Sequence, residues 1–85
     1  MGDPEDQDAW AAYRRGVGEH VRETRTARRL TQEQLADLSG VGRNTVQRIE
    51  WGDPEAPRLS ALWRLAQVLD LSVEELLKDR TRAPG

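Results

Sequence analysis

The side chains best suited to specific chemistry lie in residues 43–51, Arg-Asn-Thr-Val-Gln-Arg-Ile-Glu-Trp. In a helix, with about 100° per residue, Val46 and Ile49 fall on one side and a polar face falls on the other. This polar face consists of Asn44, Gln47, Arg48 and Trp51, with Arg43 and Thr45 at its edges. A solvated helix face usually mixes Glu and Lys, whereas amide and guanidinium groups match the hydrogen-bonding edges of bases in the major groove. The pattern therefore favours a helix that reads DNA.

Two predicted helices and a short break position this face. Thr31-Gln-Glu-Gln34 is a capping box, which starts a helix at Gln32. Ser39-Gly40-Val41-Gly42 is a tight break, and Gly52-Asp53-Pro54 stops the next helix near Trp51. Two short helices joined by a glycine-containing turn, here over residues 32–51, have the form of a helix-turn-helix.

The rest of the chain also reads as short helices. Asp8 can cap a first helix with apolar positions Trp10, Tyr13, Val17 and Val21. Gly16 and Gly18 weaken that helix, so residues 8–15 are interpreted as either a separate turn or a frayed extension of the helix. In the second helix, Leu35 and Leu38 are expected to face inward.

Two further helices follow residue 57. A fourth helix has an apolar stripe, and a second capping box at Ser72-Val-Glu-Glu75 starts a short fifth helix. The stripe consists of Leu59, Leu62, Ala66 and Leu69, and the fifth helix is expected to bury Val73, Leu76 and Leu77. The predicted fold is all-α, a compact five-helix bundle.

The chain has 85 residues, which is enough for one small domain. We expect a disordered acidic N-terminus at 1–7, the domain at 8–79 and a disordered tail at 80–85. The net charge of −2 conceals an asymmetry, because residues 14–48 hold eight Arg and four acidic residues. Twelve of the thirteen basic residues are Arg, whose planar fork of donors suits phosphates and guanine edges. Charge alone does not separate a DNA-binding surface from a solvated helical face.

Residues 17–77 resemble the Xre/Cro-repressor type of helix-turn-helix domain, the family of lambdoid phage repressors. The matching stretches are Val17-Gly-Glu-His-Val21 with Arg25, Leu30-Thr-Gln-Glu-Gln-Leu-Ala36, Gly40-Val-Gly-Arg-Asn-Thr-Val-Gln-Arg-Ile-Glu50 with Gly52, and Leu65-Ala66 with Leu71-Ser-Val-Glu-Glu-Leu-Leu77. The resemblance implies the lambda-repressor-like version of the five-helix bundle.

The resemblance also implies the roles of individual residues in DNA binding. Arg43 and Asn44 match the main base-reading positions, which suit guanine and adenine respectively. Gln32 matches a residue that contacts a phosphate and braces the reading helix, and Arg58 matches a position near the DNA backbone. Thr45 lies beside the two main readers. Arg48 matches another reader, and Gln47 reaches either a base or a phosphate.

Arg25 and Glu50 match a pair that ties the first helix to the reading helix by a salt bridge. We expect Arg25 to be mainly structural, and such a pair contributes about 1 kcal/mol when exposed and more when part-buried.

Several positions depart from the family pattern, and Thr24, which stands where a Leu is common, is one of them. Arg29 stands where relatives usually have Gly, so it has to tolerate a left-handed backbone. Gly42 replaces a Ser or Thr cap, which costs a few tenths of a kcal/mol. Asp53 belongs to an acidic loop that should repel phosphates. Trp51 is unusual at the end of a reading face. It either packs on sugar and phosphate, packs on a dimer partner, or covers the loop, and we rank packing first.

Other function classes find little support. There is no Cys and no apolar run of 18 residues, so we expect no disulfide, no membrane span and a cytoplasmic protein. His20 is the single His, and Ser39, Ser60 and Ser72 lie in caps and turns without a plausible base. We therefore expect no enzyme activity, no metal and no cofactor.

Two functions remain at this point. The first is a sequence-specific double-stranded-DNA-binding regulator of transcription, of repressor type, which acts as a homodimer with helix 43–51 in the major groove. The alternative is a protein-interaction module, such as an antitoxin or adaptor, with weak DNA binding. The acidic N-terminus, the acidic loop and the Trp residues motivate the alternative and a possible protein partner.

Overall fold

The computed structural model describes residues 4–53 and 57–77. Within these ranges the chain forms five α-helices and no β-strand, which confirms the predicted all-α fold. The helices are α1 (Pro4–Ala27), α2 (Gln32–Ser39), α3 (Arg43–Trp51), α4 (Leu59–Leu69) and α5 (Val73–Leu76). The expectations for residues 1–3, for the middle of the acidic loop at 54–56 and for the tail at 80–85 lie outside the described residues.

The first helix is longer than the sequence predicted. It begins at Pro4 rather than after a cap at Asp8, so residues 4–7, expected to be disordered, are helical. Proline suits the first helical position because its fixed φ fits the helix and its missing N–H has no intrahelical partner there. The helix also runs through Gly16 and Gly18 without a break.

The two predicted capping boxes are present. At the start of α2, the Thr31 hydroxyl accepts from the Gln34 N–H at 3.0 Å, and the Gln34 side chain accepts from the Thr31 N–H at 2.8 Å. Ser72 and Glu75 make the same reciprocal contacts at the start of α5. Each box satisfies two backbone donors that a helix start leaves without intrahelical partners.

The core is aliphatic and draws on all five helices. The largest fully buried side chains are Leu35, Leu65, Leu69, Leu76, Val21 and Val46. α1 packs mainly against α3, while α2 contacts both α3 and α4. The Tyr13 hydroxyl donates to the Leu77 carbonyl and so ties α1 to the end of α5.

Two leucines predicted to face inward are exposed. Leu38 is 63% exposed and Leu59 is 67% exposed. In α2 the buried residues are Leu35 and Ala36, and Leu38 lies about 100° away from the middle of that face. Leu59 is the first residue of α4, one turn before Leu62, and the core does not extend that far.

Gly18 marks a close approach between α1 and α3. A Cβ built at Gly18 would lie 2.3 Å from the carbonyl oxygen of Ile49 and 2.8 Å from that of Glu50. Interiors are close-packed, so a side chain there would push the two helices apart. A Cβ built at Gly16, on the same helix, meets nothing within 4 Å. Packing against α3 therefore requires glycine at position 18.

Arg29 adopts the left-handed conformation that the sequence predicted, with φ of 59°. It ends α1 in a Schellman arrangement, in which the Arg29 N–H donates to the Thr26 carbonyl and the Leu30 N–H donates to the Arg25 carbonyl. The bonds satisfy helix-end carbonyls, but the left-handed backbone costs a non-glycine residue about 1–2 kcal/mol.

Alanine substitutions at the two glycines of α1 should have opposite effects. Gly18→Ala is expected to lower the free energy of unfolding by about 1–3 kcal/mol, because its methyl group meets two backbone carbonyls of α3. Gly16→Ala is expected to raise it by up to about 1 kcal/mol, because alanine is the better helix former and the space is open. Urea unfolding of both variants checks this, and equal effects would contradict the close approach.

Glycine at position 29 should stabilise the domain. Arg29→Gly is expected to raise the free energy of unfolding by about 0.5–1 kcal/mol, because it removes the left-handed penalty. Arg28→Gly is the control, since Arg28 does not have a positive φ, and it should lower stability slightly. The prediction fails if both variants shift the thermal midpoint in the same direction.

Candidate nucleic-acid interface

α3 presents its polar face to solvent. Its buried residues are Val46, Ile49 and Glu50. Four residues of the polar face and its edges are exposed, namely Arg43, Asn44, Arg48 and Trp51. The other two, Thr45 and Gln47, are half-buried. Trp51 is 71% exposed, so it is not part of the core. The face defined from the helical periodicity is thus the accessible face of α3.

The buried carboxylate of Glu50 joins three helices. Arg25 of α1 donates to it twice, from Nε to Oε2 at 2.7 Å and from Nη2 to Oε1 at 3.0 Å. Gln32 of α2 donates from Nε2 to Oε1 at 3.1 Å. The Arg25 Nη1 donates to the Leu30 carbonyl at 2.7 Å, which fixes the guanidinium to the turn before α2. The Arg25–Glu50 salt bridge that the resemblance implied is therefore present.

This junction sets the rotation of α3 about its own axis. The Glu50 side chain is 2% exposed and the Arg25 side chain is 14% exposed, so both are largely removed from water. A buried carboxylate needs donors at both oxygens, and these donors come from fixed points on α1 and α2. Glu50 therefore holds the opposite side of α3, with Asn44 and Arg48, toward solvent.

Gln32 supports α3 by its contact with Glu50. It is the first residue of α2 and half-buried, and its side-chain amide contacts Glu50. The phosphate contact that the resemblance implied is not tested by the structure and remains a prediction. A helix N-terminus offers free amides and the positive end of a dipole to an anion, which agrees with that prediction.

A groove of about 500 Å³ lies beside α3 and includes the start of α4. Its lining includes Thr45, Arg48 and Arg58, which the sequence analysis singled out. It also includes Arg64, which the sequence analysis missed, and Ser60, which was expected in a cap or turn but is the second residue of α4. Ser60 and Arg64 lie four residues apart on α4 and so share one helix face, and that spacing could have revealed them. Three guanidinium groups thus line a groove next to the polar face of α3.

On another side of the turn, acidic residues approach Arg43. Glu33 and Asp37 of α2 and Arg43 line a groove of about 410 Å³ together with Gly40 and Gly42. The start of α3 therefore shares a groove with two acidic residues of α2.

The end of α3 contains a contact that sequence reasoning did not find. Arg48 donates from Nε to Asp53 Oδ2 at 3.0 Å and from Nη2 to Oδ1 at 3.4 Å. Asp53 was expected only to repel phosphates. The five-residue separation spans a helix end, where the chain turns back, so helical spacing rules did not reveal the pair.

Within residues 4–53 and 57–77, no helix is long and apolar enough to cross a membrane. The same ranges contain no group of three or more His, Cys, Asp or Glu residues placed to hold a metal ion.

Comparison with protein families gives a match over most of the described chain. The sequence model of a family described as helix-turn-helix matches residues 21–76. These residues run from the second half of α1 through α5 and include the Glu50 junction and the whole of α3.

Curated relatives carry names of transcriptional regulators. The HTH-type regulator RghRB of Bacillus subtilis (strain 168), described as uncharacterized, is 40% identical over 60 residues, which are 71% of this chain and 43% of that protein. The HTH-type transcriptional repressor RghR of the same organism is 38% identical over 71% of this chain and 44% of its own length. RstR, a transcriptional repressor of the cryptic phage CTXphi in Vibrio cholerae, is 36% identical over 69% of this chain and 52% of its own length. The matched region thus spans about half the length of these relatives.

A solved structure shares the fold. A chain in a complex of the SinR and SinI proteins matches with a TM-score of 0.72 and 26% sequence identity. The match covers 75% of this chain and 62% of that chain.

The buried and exposed ion pairs should differ sharply in their contribution to stability. Glu50→Ala is expected to lower the free energy of unfolding by about 3–5 kcal/mol, because it leaves the Arg25 guanidinium buried without its carboxylate. Asp53→Ala removes an exposed pair, with Arg48 50% exposed, and should cost about 1 kcal/mol or less. Chemical denaturation of the two variants checks this. Equal losses of unfolding free energy in the two variants would show that Glu50 does not hold α1, α2 and α3 together.

Proposed function

Because the chain belongs to the Xre/lambda-repressor-like helix-turn-helix family, we propose that it is a sequence-specific regulator of transcription that binds double-stranded DNA. The family and the names of its relatives indicate a transcriptional regulator, which is not an enzyme. We further propose a repressor-type mode of action, with the helix-turn-helix at 32–51.

One observation carries this proposal. α3 presents amide and guanidinium side chains to solvent, while the Arg25–Glu50–Gln32 junction on its buried side fixes its orientation. A reading helix must present its donors at defined positions, because each bidentate contact to a base depends on geometry. A helix face that only contacts water needs no defined orientation, and therefore no buried ion pair to fix it.

The proposed roles follow from the chemistry of each side chain. Arg43 donates to guanine O6 and N7, and Asn44 pairs with adenine N6 and N7 in the major groove. Thr45, Gln47 and Arg48 extend the contacts along α3.

Phosphate contacts from the flanking helices set the position of the domain on the duplex. Gln32 at the start of α2 and Arg58 before α4 supply these contacts. The Arg-lined groove beside α3 supports this assignment.

A homodimer would give the domain two reading helices related by two-fold symmetry. Each α3 would enter one half-site, and the half-sites would lie about one helical turn, roughly 34 Å, apart. An operator of this kind would be an inverted repeat.

A protein-interaction role is the second candidate, and exposed apolar side chains favour it. Leu59 is 67% exposed and Trp63 is 55% exposed, and they lie four residues apart on α4. Exposed apolar surface of this kind often marks a protein contact. The SinR match comes from a complex with another protein, which supports a protein partner for this chain as well.

Selection of random duplex DNA by the purified protein at about 150 mM salt tests the first candidate. We expect enrichment of an inverted repeat, and affinity that falls steeply between about 50 and 200 mM salt as counterions are released. Arg43→Ala and Asn44→Ala should each reduce discrimination at one base pair of each half-site by about 5- to 150-fold, which corresponds to roughly 1–3 kcal/mol.

Arg22→Ala is the matched control, because Arg22 is an exposed arginine of α1 outside the reading face. It should leave base discrimination unchanged even if it weakens binding to all sequences equally. Unchanged discrimination in Arg43→Ala and Asn44→Ala would show that α3 does not read the DNA. Absent or salt-independent binding would favour the protein-interaction role.

A further inference from the structure

The contact between Arg48 and Asp53 is built into the end of α3. Gly52 adopts a left-handed conformation, with φ of 72°, and its N–H donates to the Ile49 carbonyl at 3.0 Å. The Asp53 N–H then donates to the Arg48 carbonyl at 3.0 Å. These are the two bonds of a Schellman motif, which here brings Asp53, the second residue after the helix, beside Arg48, three residues before the last helical residue. An apolar contact frequently accompanies that motif, and here a carboxylate meets a guanidinium instead.

The motif is itself anchored to α1. Arg14 donates from Nε to the Gly52 carbonyl at 2.7 Å. A Cβ built at Gly52 would lie 3.1 Å from the Arg15 Cγ, so α1 also packs closely against this turn. The position of the Asp53 backbone is therefore set by the longest helix of the domain as well as by α3.

The geometry points to Asp53 as a positioning residue for Arg48. We propose that its carboxylate holds the Arg48 guanidinium in the orientation in which it reads a base, and that Asp53 thereby determines specificity without contacting the base. This inference rests on the proposed DNA-binding function.

The guanidinium meets Asp53 with one edge and directs another edge away from it. The carboxylate takes the edge formed by Nε and Nη2. The edge formed by Nη1 and Nη2 is the one that a guanine can meet with two parallel hydrogen bonds. Arg48 is 50% exposed, so a base in the major groove can reach it.

Pre-orientation has a measurable consequence. A long flexible side chain loses rotamer freedom when it binds, and a side chain already held in place loses less. The negative charge of Asp53 also repels phosphates, which weakens binding to every sequence. Asp53 should therefore increase discrimination while it lowers non-specific affinity.

The test compares Arg48→Ala, Asp53→Asn and the double variant on the selected operator and on each of its single-base-pair variants. Arg48→Ala identifies the base pair that Arg48 reads, as a loss of discrimination of about 10-fold. Asp53→Asn is expected to lose about 3- to 10-fold at that same base pair and little elsewhere. Its binding to unrelated DNA should stay equal or increase. In the double variant, Asp53→Asn should add nothing to the loss of discrimination.

Asp70→Asn is the matched control. Asp70 is exposed, it ends α4 with φ of 57°, and asparagine tolerates this conformation. The substitution removes the same charge by the same chemical change and should leave discrimination intact. Nitrogen-15 relaxation of the Arg48 Nε–Hε group, measured without DNA, should show greater mobility in Asp53→Asn than in the wild type or Asp70→Asn.

Several outcomes would overturn the inference. If Asp53→Asn binds the operator more tightly with discrimination retained, Asp53 competes with DNA for Arg48. If its losses are spread evenly over all base pairs, or if Arg48→Ala loses no discrimination, Asp53 does not act through Arg48. If the wild-type protein selects no sequence at all, the proposed function fails and this inference with it. If the wild type does select an operator, a contrary result with the variants contradicts this inference but not the proposed function.

Discussion

The buried carboxylate of Glu50 is the interaction on which the arrangement of the helices around the reading face depends. Its side chain is 2% exposed, and a charge in that position is tolerated only when hydrogen-bond donors surround it. Arg25 supplies two donors from α1, and Gln32 supplies one from α2. Any rotation or displacement of α3 would break these hydrogen bonds and leave the buried Glu50 carboxylate without donors. Because a buried charge without donors is strongly unfavourable, α3 is held in one orientation.

The close contact of α1 with α3 allows this junction to form. α3 has nine residues, and a helix of that length is only marginally stable in water without tertiary contacts. Gly18 lets the backbone of α1 approach the carbonyls of Ile49 and Glu50, and Arg14 binds the Gly52 carbonyl at the end of the helix. α1 therefore supports both the middle and the end of α3. The buried residues of α3 are Val46, Ile49 and Glu50, so its polar face remains at the surface.

The electrostatics of the surface near α3 are mixed rather than uniformly basic. Three arginines line the groove beside α3, but Glu33 and Asp37 lie near Arg43, and Asp53 pairs with Arg48. In the proposed complex with DNA, acidic groups at these places would weaken a general attraction to phosphate and would make binding depend more on base contacts. This balance agrees with a net charge of −2 in a protein of a DNA-binding family.

The sequence by itself determined the local features of this protein. The 3.6-residue periodicity predicted which side of α3 faces solvent, and the capping boxes at Thr31 and Ser72 predicted where two helices begin. These signals are local because a helix brings residues three or four positions apart together. The family resemblance implied the Arg25–Glu50 pair, which separation along the chain alone does not reveal.

Only the tertiary structure decided the features that depend on distant segments. Leu38 and Leu59 are apolar residues of helices but are exposed, because burial depends on whether a neighbouring helix covers the position. The need for glycine at position 18 arises from backbone atoms about thirty residues away. The pairing of Arg48 with Asp53 requires the left-handed turn at Gly52, which α1 holds in place. A periodic pattern defines the faces of one helix, but the contacts between helices follow from the packing of the whole chain.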